Sequence, residues 1–327
     1  MSGVLNGLIG SLKSGGPAEI LLTSSAVGSF YQATSTISSG TYTITPTAAG
    51  ENGGAIFWDG ATQIAAVQFN GTTPVTVSVP SSATRVAITT NASGNLKIAG
   101  PCTPATLTSY TPTAEVLTSG TSYTKTGPAR FVVVGGGGGG AGNALNSRLN
   151  GGGGGSGGVT SGFQYISSSA AYSIGAAGGS GWNNPGAAGG ATTFGSTTAN
   201  GGGGGRNRWD APSTNQPISG LAGTPGGGGY SNANGTIVTP SSATPIAGVP
   251  NAGATTGPGY NFVTGAGTGS VTGGGGGSGI GTGGSNASAY SVPSGYGAGG
   301  SGPTNLGGAQ PWGTAGTQGV VYVVRPV

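Results

Sequence analysis

Apolar and polar residues alternate through much of the first hundred positions of the chain. Tyr42 and Ile44 alternate with threonines, and the same period of two recurs over residues 75–79, 86–88 and 96–98. Side chains on a strand point alternately to its two faces, so this period indicates strands with one buried and one solvated face. Seven or eight such segments between residues 17 and 100 predict an all-β domain, built as a sandwich or a small jelly roll.

Turn residues separate these predicted strands. Asp59-Gly60 stands between the apolar stretches GAIFW and ATQIAAVQF, and this dipeptide is typical of a two-residue type I′ hairpin. Asn70-Gly71 ends the following strand. A domain of this length is able to bury a core of its own.

The first sixteen residues, MSGVLNGLIGSLKSGG, form a separate segment. Its apolar residues follow helical spacing: Val4, Leu5, Leu8, Ile9 and Leu12. A helix this short is marginal in isolation, and the glycines within it weaken it further. Two interpretations stay open, a frayed terminus or a segment that docks on another surface. We expect docking, because five exposed apolar side chains in so short a stretch are a liability.

The chain changes character between residues 101 and 134. Pro101, Pro104 and Pro112 interrupt regular structure, so residues 101–129 are predicted to form a linker or extra strands. Residues 130–134, RFVVV, then predict a buried strand. A second valine strand, VVYVV at residues 320–324, closes the chain.

Glycine dominates the region from residue 131 onward. Only 16 of the 77 glycines lie in residues 1–130, which leaves 61 for the last 197 positions. Glycine runs occupy residues 135–140, 151–155, 201–205, 226–229 and 273–277. Average glycine usage is about 7%, and glycine loses more backbone entropy on ordering than any other residue. A folded domain with this composition therefore needs a geometric reason for its glycines.

Packing of extended left-handed helices supplies such a reason. These helices have three residues per turn and no internal hydrogen bonds, so their backbone groups must bond to neighbours. Glycine lets the backbones approach closely, whereas the strict Gly-X-Y register of collagen is missing here. A flexible linker is the alternative, but a linker does not end in a well-formed valine strand. We predict packed polyglycine-type helices with short β-strands, and almost no α-helix, over residues 130–327.

The order of motifs in this region resembles a known family. A strand enters a glycine run in RFVVVGGGGGGAG, and GTQGVVYVVRP closes the chain. Between them, Tyr172-Ser173-Ile174-Gly175 and Ala191-Thr192-Thr193-Phe194-Gly195 match the Tyr-x-Val/Ile and Thr-x-Phe-Gly positions of the glycine-rich domain of bacteriophage tail-fibre and other virion proteins. The region is also similar to the glycine-rich adhesins at the fibre tips of T-even-like phages, in which packed polyglycine helices carry variable loops that contact the host receptor.

The resemblance implies a virion protein without enzymatic activity. It implies a displayed glycine-rich domain that binds a host-surface glycan or outer-membrane protein, an N-terminal region attached to other virion proteins, and a homotrimer as the default assembly. The N-terminal β domain has no counterpart in the adhesin pattern, which leaves open a capsid decoration or head-fibre protein. A non-viral bacterial surface adhesin is the third reading.

The side-chain inventory points away from enzymatic chemistry. The chain has no histidine, which excludes His-based acid–base catalysis, His metal ligands and a Ser-His-Asp triad. FVVVGGGGGGAG resembles a dinucleotide fingerprint, yet no acidic residue follows at the required distance. Five carboxylates are too few and too scattered to predict a glycosidase pair. We expect no enzyme, no cofactor and no metal site.

The charge and hydropathy of the sequence limit the classes of partner that we expect the chain to bind. Nine basic and five acidic residues give a net charge of +4 without a dense basic patch, so nucleic acid is not an expected partner. The sequence contains no run of 18 apolar residues, so we predict no membrane span. The N-terminus does not resemble a signal peptide, which favours a virion assembled in the host cytoplasm. The single cysteine, Cys102, excludes an intrachain disulfide.

Aromatic and charged residues interrupt the glycine segments and are the candidate receptor contacts. The cluster RNRWD offers a tryptophan that stacks on a sugar or lipid headgroup and arginines that bind anions; a structural Arg–Asp pair is the alternative. The other aromatic residues either cover the glycine lattice or contact a receptor. The candidates are Arg206, Arg208, Trp209, Asp210, Trp182, Tyr230, Tyr260, Tyr296 and Trp312.

Overall fold

The computed structural model describes residues 17–26, 28–47, 52–90, 93–142, 153–182, 184–205, 293–302 and 313–327. Within these ranges the chain forms eighteen β-strands and no α-helix. The prediction of a mostly β chain is confirmed for this part of the molecule. The proposed attachment residues Val4, Leu5, Leu8, Ile9 and Leu12 lie outside the described residues.

The chain divides into two compact units. Unit 1 comprises Met1–Tyr110 together with Pro326–Val327, and unit 2 comprises Thr111–Arg325. The boundary therefore falls inside the stretch 101–129 that the sequence leaves as a linker or extra strands. The first part of this stretch supplies strands to unit 1, and the second part supplies strands to unit 2.

Unit 1 contains ten strands in two five-stranded sheets. They are β1 Ala18–Leu22, β2 Phe30–Ile37, β3 Gly40–Pro46, β4 Asn52–Asp59, β5 Thr62–Asn70, β6 Val75–Val79, β7 Ala83–Thr89, β8 Leu96–Gly100, β9 Ala105–Thr106 and β10 Thr108–Tyr110. One sheet has the order β6-β3-β8-β1-β9 and the other the order β10-β2-β7-β4-β5. Both sheets contribute apolar side chains to one shared core, as two packed layers do.

The alternating pattern of the sequence corresponds to the two faces of these strands. Tyr42 and Ile44 of β3 are fully buried, while the threonines between and beside them are at least partly exposed. Val77 and Val79 of β6 and Ile98 of β8 are buried in the same core. The period of two therefore predicted which residues of these strands face inward.

The predicted hairpin between β4 and β5 is present, with a loop shifted by one residue. Asp59 still pairs with Thr62, so the two loop residues are Gly60 and Ala61 rather than Asp59 and Gly60. Gly60 adopts a φ of 56°, and a Cβ there would meet no atom within 4 Å. Glycine occupies the first loop position because the turn requires a positive φ there.

Tyr42 joins the core of unit 1 to its surface. Its ring lies 5.3 Å from that of Phe57, measured between centroids. Its hydroxyl is positioned to donate to the carbonyl oxygens of Ser38, at 2.9 Å, and Pro101, at 2.8 Å. Burial, together with the nearby Cys102 thiol, raises the pKa of Tyr42 to about 12.

The Tyr42→Phe variant tests this contribution. We expect it to lower the free energy of unfolding of unit 1 by about 1 kcal/mol at neutral pH. The reason is that the Ser38 carbonyl oxygen loses the hydroxyl donor, while the Pro101 carbonyl oxygen keeps only the Ser38 N–H. An unfolded tyrosine has a pKa of about 10, so ionisation favours the unfolded wild-type chain as the pH rises from there through 12. Over that interval the free energy of unfolding of the wild type should fall by about 1.4 kcal/mol per pH unit more than that of the variant. Denaturant unfolding at several pH values measures this difference, and parallel pH profiles would contradict it.

Unit 2 contains eight strands in two four-stranded sheets. They are β11 Glu115–Leu117, β12 Ser122–Tyr123, β13 Gly127–Val134, β14 Val159–Ile166, β15 Ala170–Ser173, β16 Thr192–Phe194, β17 Thr197–Ala199 and β18 Val320–Val324. The sheet orders are β11-β18-β13-β14 and β12-β15-β16-β17. Their shared core includes Phe131 and Phe194, whose ring centroids lie 4.8 Å apart.

The two valine strands that bracket the glycine region are neighbours in one sheet. β13 and β18 pair antiparallel, with Val134 opposite Val320 and Arg130 opposite Val324. Every residue of both strands is buried. The chain therefore enters and leaves the glycine region at adjacent positions, and this closure holds the two ends of the region together.

Candidate functional site

The glycine region of unit 2 contains seven extended segments in the described residues. We number them in chain order: segment I, 135–142; segment II, 153–158; segment III, 175–182; segment IV, 184–190; segment V, 200–205; segment VI, 297–302; and segment VII, 313–319. None of these residues belongs to a strand of the two sheets. The neighbouring strands determine where the segments start and end, since β13 leads into segment I and segment VII leads into β18.

Segment I donates hydrogen bonds to three neighbours in a repeat of three residues. Its successive N–H groups bond to segments II, IV and VII, and then to II, IV and VII again, with N···O distances of 2.8–2.9 Å. The donor and acceptor pairs are Gly135 to Gly158, Gly136 to Gly190, Gly137 to Thr317, Gly138 to Gly155, Gly139 to Ala187 and Gly140 to Thr314. Each turn of three residues therefore bonds in three directions.

The carbonyl groups of segment I accept bonds from the three remaining segments. Segments III, V and VI supply the donors, at N···O distances of 2.8–2.9 Å. The donor and acceptor pairs are Gly202 to Gly136, Gly178 to Gly137, Gly300 to Gly138, Gly205 to Gly139 and Gly181 to Gly140. Segment I is thus bonded to all six other segments.

The six outer segments also bond to one another and close a ring around segment I. The order around the ring is II, V, IV, III, VII, VI and back to II, and each adjacent pair shares at least two backbone hydrogen bonds. Segments that accept from segment I alternate with segments that donate to it. Segment I is buried throughout, so its bonds to the ring pair backbone groups that would otherwise lack a partner, which is costly in a protein interior.

Steric constraints explain the glycines of segment I. A Cβ built on any of residues 135–140 would overlap the carbonyl oxygen of a neighbouring segment. For Gly138 that oxygen belongs to Gly203 in segment V. Because the obstacle is backbone in every case, no side-chain rotation relieves the clash. The six-glycine run is therefore required by the close approach of backbones.

The outer segments need glycine only where they face another segment. In segment VII, Gly313 and Gly316 face segment I, and a Cβ on either would overlap its backbone. On the outward side, Ala176 and Ala187 are exposed and carry a Cβ without obstruction. Gly179 is also exposed, and a Cβ there would meet no atom within 4 Å.

Segments I to VII together form the glycine lattice. Threonine hydroxyls accept hydrogen bonds in place of carbonyl groups where this lattice meets the sheet and along segment VII. Thr192 Oγ1 accepts the buried N–H of Gly175 at 2.9 Å. The hydroxyl oxygens of Thr314 and Thr317 accept the N–H groups of Ser301 and Ala298, both at 2.7 Å. These side chains extend the hydrogen-bonding pattern without requiring another glycine backbone.

Some of these segments correspond to glycine runs of the sequence, and one does not. The runs at 135–140 and 201–205 correspond to segments I and V, and residues 153–155 of the run at 151–155 lie in segment II. The runs at 226–229 and 273–277 lie outside the described residues. Segment VII, GTAGTQG, contains no glycine run and was not predicted. Its signal is the recurrence of glycine at every third residue, at Gly313, Gly316 and Gly319.

The lattice has one end at the sheets and a far end at which segment III terminates. Trp182 terminates segment III at the far end and is 49% exposed. Next to it, Gly142 at the end of segment I donates to the carbonyl oxygen of Asn184 at 3.1 Å. In the chain, residues 143–152 stand between segments I and II, residues 303–312 stand between segments VI and VII, and residue 206 follows segment V; all of these lie outside the described residues.

Only two of the nine candidate receptor contacts fall within the described residues. Tyr296 is half-buried, and its ring packs edge-on against that of Tyr322 in β18, with centroids 6.5 Å apart. Trp182 is the exposed candidate at the far end. The structure does not bring these two residues together. The remaining candidates, Arg206, Arg208, Trp209, Asp210, Tyr230, Tyr260 and Trp312, lie outside the described residues.

No cluster of three or more potential metal ligands occurs among the described residues. They also include no helix that is long and apolar enough to cross a membrane. Neither a protein-family model nor a curated protein matches the chain.

A matched pair of glycine substitutions tests the geometry of the lattice. Gly138→Ala places a methyl group against the Gly203 carbonyl oxygen, and we expect it to lower the free energy of unfolding of unit 2 by more than about 4 kcal/mol. Gly179→Ala adds the same methyl group where there is space, so we expect no loss and a gain of up to about 1 kcal/mol from the reduced entropy of the unfolded chain. Thermal and denaturant unfolding of both variants measures the contrast. Equal effects from the two substitutions would contradict the lattice.

Proposed function

We propose that the chain is a bacteriophage virion structural protein of the tail-fibre or spike type, an adhesin that displays unit 2 for binding to the host surface. The observation that carries the proposal is the closed ring of six extended segments around a seventh, bonded every third residue. We interpret the segments as packed polyglycine-type helices, the architecture that the family resemblance implies. In this view the protein is not an enzyme, and its role is structural and binding.

The lattice is suited to act as a rigid scaffold that presents loops. Its core is made of backbone hydrogen bonds with almost no side chains, so it places few demands on the residues that connect segments at the far end. Loops carry binding functions most readily when a rigid scaffold positions them. The exposed Trp182 lies at this end, and tryptophan is enriched at the energetically dominant positions of interfaces.

Unit 1 and the N-terminal segment are assigned the attachment role in this proposal. Unit 1 has a core of its own that is independent of the glycine lattice. We propose that this region binds other virion proteins, that the assembled protein is a homotrimer, and that the virion is assembled in the host cytoplasm. The partner of unit 2 is a host-surface glycan or an outer-membrane protein.

A capsid decoration or head-fibre protein is the second candidate. The observation that favours it is unit 1, whose two packed sheets have no counterpart in the fibre-tip adhesin pattern. Labelled antibodies against the chain, imaged on intact particles, separate the candidates. Label at the tail is the expected result, whereas label spread over the head would overturn the tail assignment.

Adsorption assays test the binding role. We expect the purified full-length chain to compete with phage for host cells and Trp182→Ala to weaken this competition by about tenfold, as loss of an aromatic anchor does. Val116→Ala is the matched control, because Val116 is exposed to a similar degree, 48%, but lies on β11 in the sheet. Thermal unfolding confirms that both variants fold. No competition by the wild-type chain, or the same loss in both variants, would refute the role of Trp182.

A further inference from the structure

A groove crosses the outer face of the β6-β3-β8-β1-β9 sheet in unit 1. It has a volume of about 650 Å³, within the range of small-molecule sites, and unit 1 supplies all of its lining. Thr41 and Thr43 line it because they alternate with the buried Tyr42 and Ile44 on β3. The groove thus lies on the side of the sheet opposite the core.

Hydroxyl groups dominate the polar lining of this groove. They belong to Thr36, Ser38, Thr41, Thr43 and Thr103. Within the described residues, none of these five hydroxyls forms a hydrogen bond to the protein. Each is therefore available both to donate and to accept a hydrogen bond with a ligand.

The rim of the groove is fixed by backbone hydrogen bonds. Ser38 N–H donates to the Pro101 carbonyl oxygen at 3.0 Å, and Thr103 N–H donates to the Thr36 carbonyl oxygen at 2.9 Å. The Tyr42 hydroxyl reaches two of the same rim residues from below. A site with a preformed rim loses little conformational entropy when a ligand binds.

The lining selects the chemical class of the ligand. No charged side chain lines the groove, so nothing there compensates an ionic group. Pro17, Ala18, Ala99 and Pro101 provide apolar surface between the hydroxyls. Alternation of hydroxyl groups with small apolar patches is the complement of a sugar ring, which presents hydroxyls at its edge and C–H groups on its faces. We propose that this groove binds a neutral saccharide.

An extended peptide fits the groove less well. β3 already pairs with β6 and β8, and β8 also pairs with β1, so the strands beneath the groove offer no free edge for strand addition. No aromatic side chain lines the groove, whereas grooves that bind proline-rich helices are lined by aromatic residues. The saccharide site goes beyond the function proposed above and stands whether or not unit 2 binds a host.

Cys102 provides a reporter inside the groove. It is the single cysteine of the chain, it is partly exposed, and it lines the groove. Burial raises the pKa of its thiol, so alkylation is slow at neutral pH and becomes faster as the pH rises. A bound ligand should slow the alkylation of Cys102 by iodoacetamide in the folded full-length chain.

The test measures binding and Cys102 protection with named probes. Maltotriose, cellotriose and mannotriose are the neutral sugars, sialyllactose is the charged sugar, and a proline-rich decapeptide is the peptide control. We expect at least one neutral trisaccharide to bind in the millimolar range or tighter, seen by calorimetry, and to protect Cys102 at saturation. Dextran and mannan, compared with the trisaccharides, separate recognition of a polymer from recognition of a short sugar.

Variants locate the site. Thr43→Val with Thr103→Val replaces two lining hydroxyls by methyl groups of the same shape, and we expect at least a tenfold loss of affinity for the trisaccharide. Thr45→Val, two residues further along β3 and outside the groove, is the matched control and should leave affinity unchanged. Unfolding curves verify that the variants fold.

Three results would overturn the saccharide site. They are the absence of neutral-sugar binding at millimolar concentration, an unchanged affinity in the double variant, and tighter binding of sialyllactose or the peptide than of every neutral sugar. Loss of host adsorption without loss of sugar binding would count against the function of unit 2 alone. The two proposals therefore fail independently.

Discussion

Segment I satisfies its backbone hydrogen bonds only because six other segments approach closer than any side chain would allow. Its N–H groups bond in three directions and its carbonyl groups in three others, with a period of three residues. A Cβ at any of residues 135–140 would enter the space of a neighbouring carbonyl oxygen. The entropy cost of ordering so much glycine is offset by hydrogen bonds that are shared among segments rather than formed within them.

The β-strands of unit 2 hold the ends of the lattice segments in place. Extended segments with no internal hydrogen bonds do not form alone, so their ends must be held in place. The buried pair β13 and β18 holds the first and last segments side by side, and β15 and β16 do the same for segments III and IV. The resulting unit has a conventional apolar core at the sheets, around Phe131 and Phe194, and a core of backbone in the lattice.

Residue patterns predicted the parts of the fold in which side chains decide the structure. The period of two at Tyr42 and Ile44 identified a strand and its inward face, and the valine runs identified β13 and β18. The hairpin at Gly60 was predicted, but the loop in the structure lies one residue further along the chain than predicted. The Asp-Gly dipeptide does not indicate which loop position takes the glycine with positive φ.

The glycine segments set a different limit on prediction. A glycine run indicates that a backbone approaches closely, but it does not say which backbone, and the partners of Gly138 lie in segments II, V and VI. Segment VII was missed because the positions between its glycines carry threonine, alanine and glutamine, so the recurring glycine does not form a run. The groove on unit 1 was also not predicted, since its hydroxyls come from three separate stretches that meet only in the folded unit.

Amide hydrogen exchange, resolved residue by residue, tests the lattice most directly. The N–H groups of Gly136, Gly137 and Gly139 should exchange only on unfolding of unit 2, because all are bonded inside the ring. In segment III the protection should recur every third residue, with Gly178 and Gly181 protected and the exposed Gly179 between them exchanging fast. Fast exchange throughout segment I, as in a flexible glycine chain, would contradict the account.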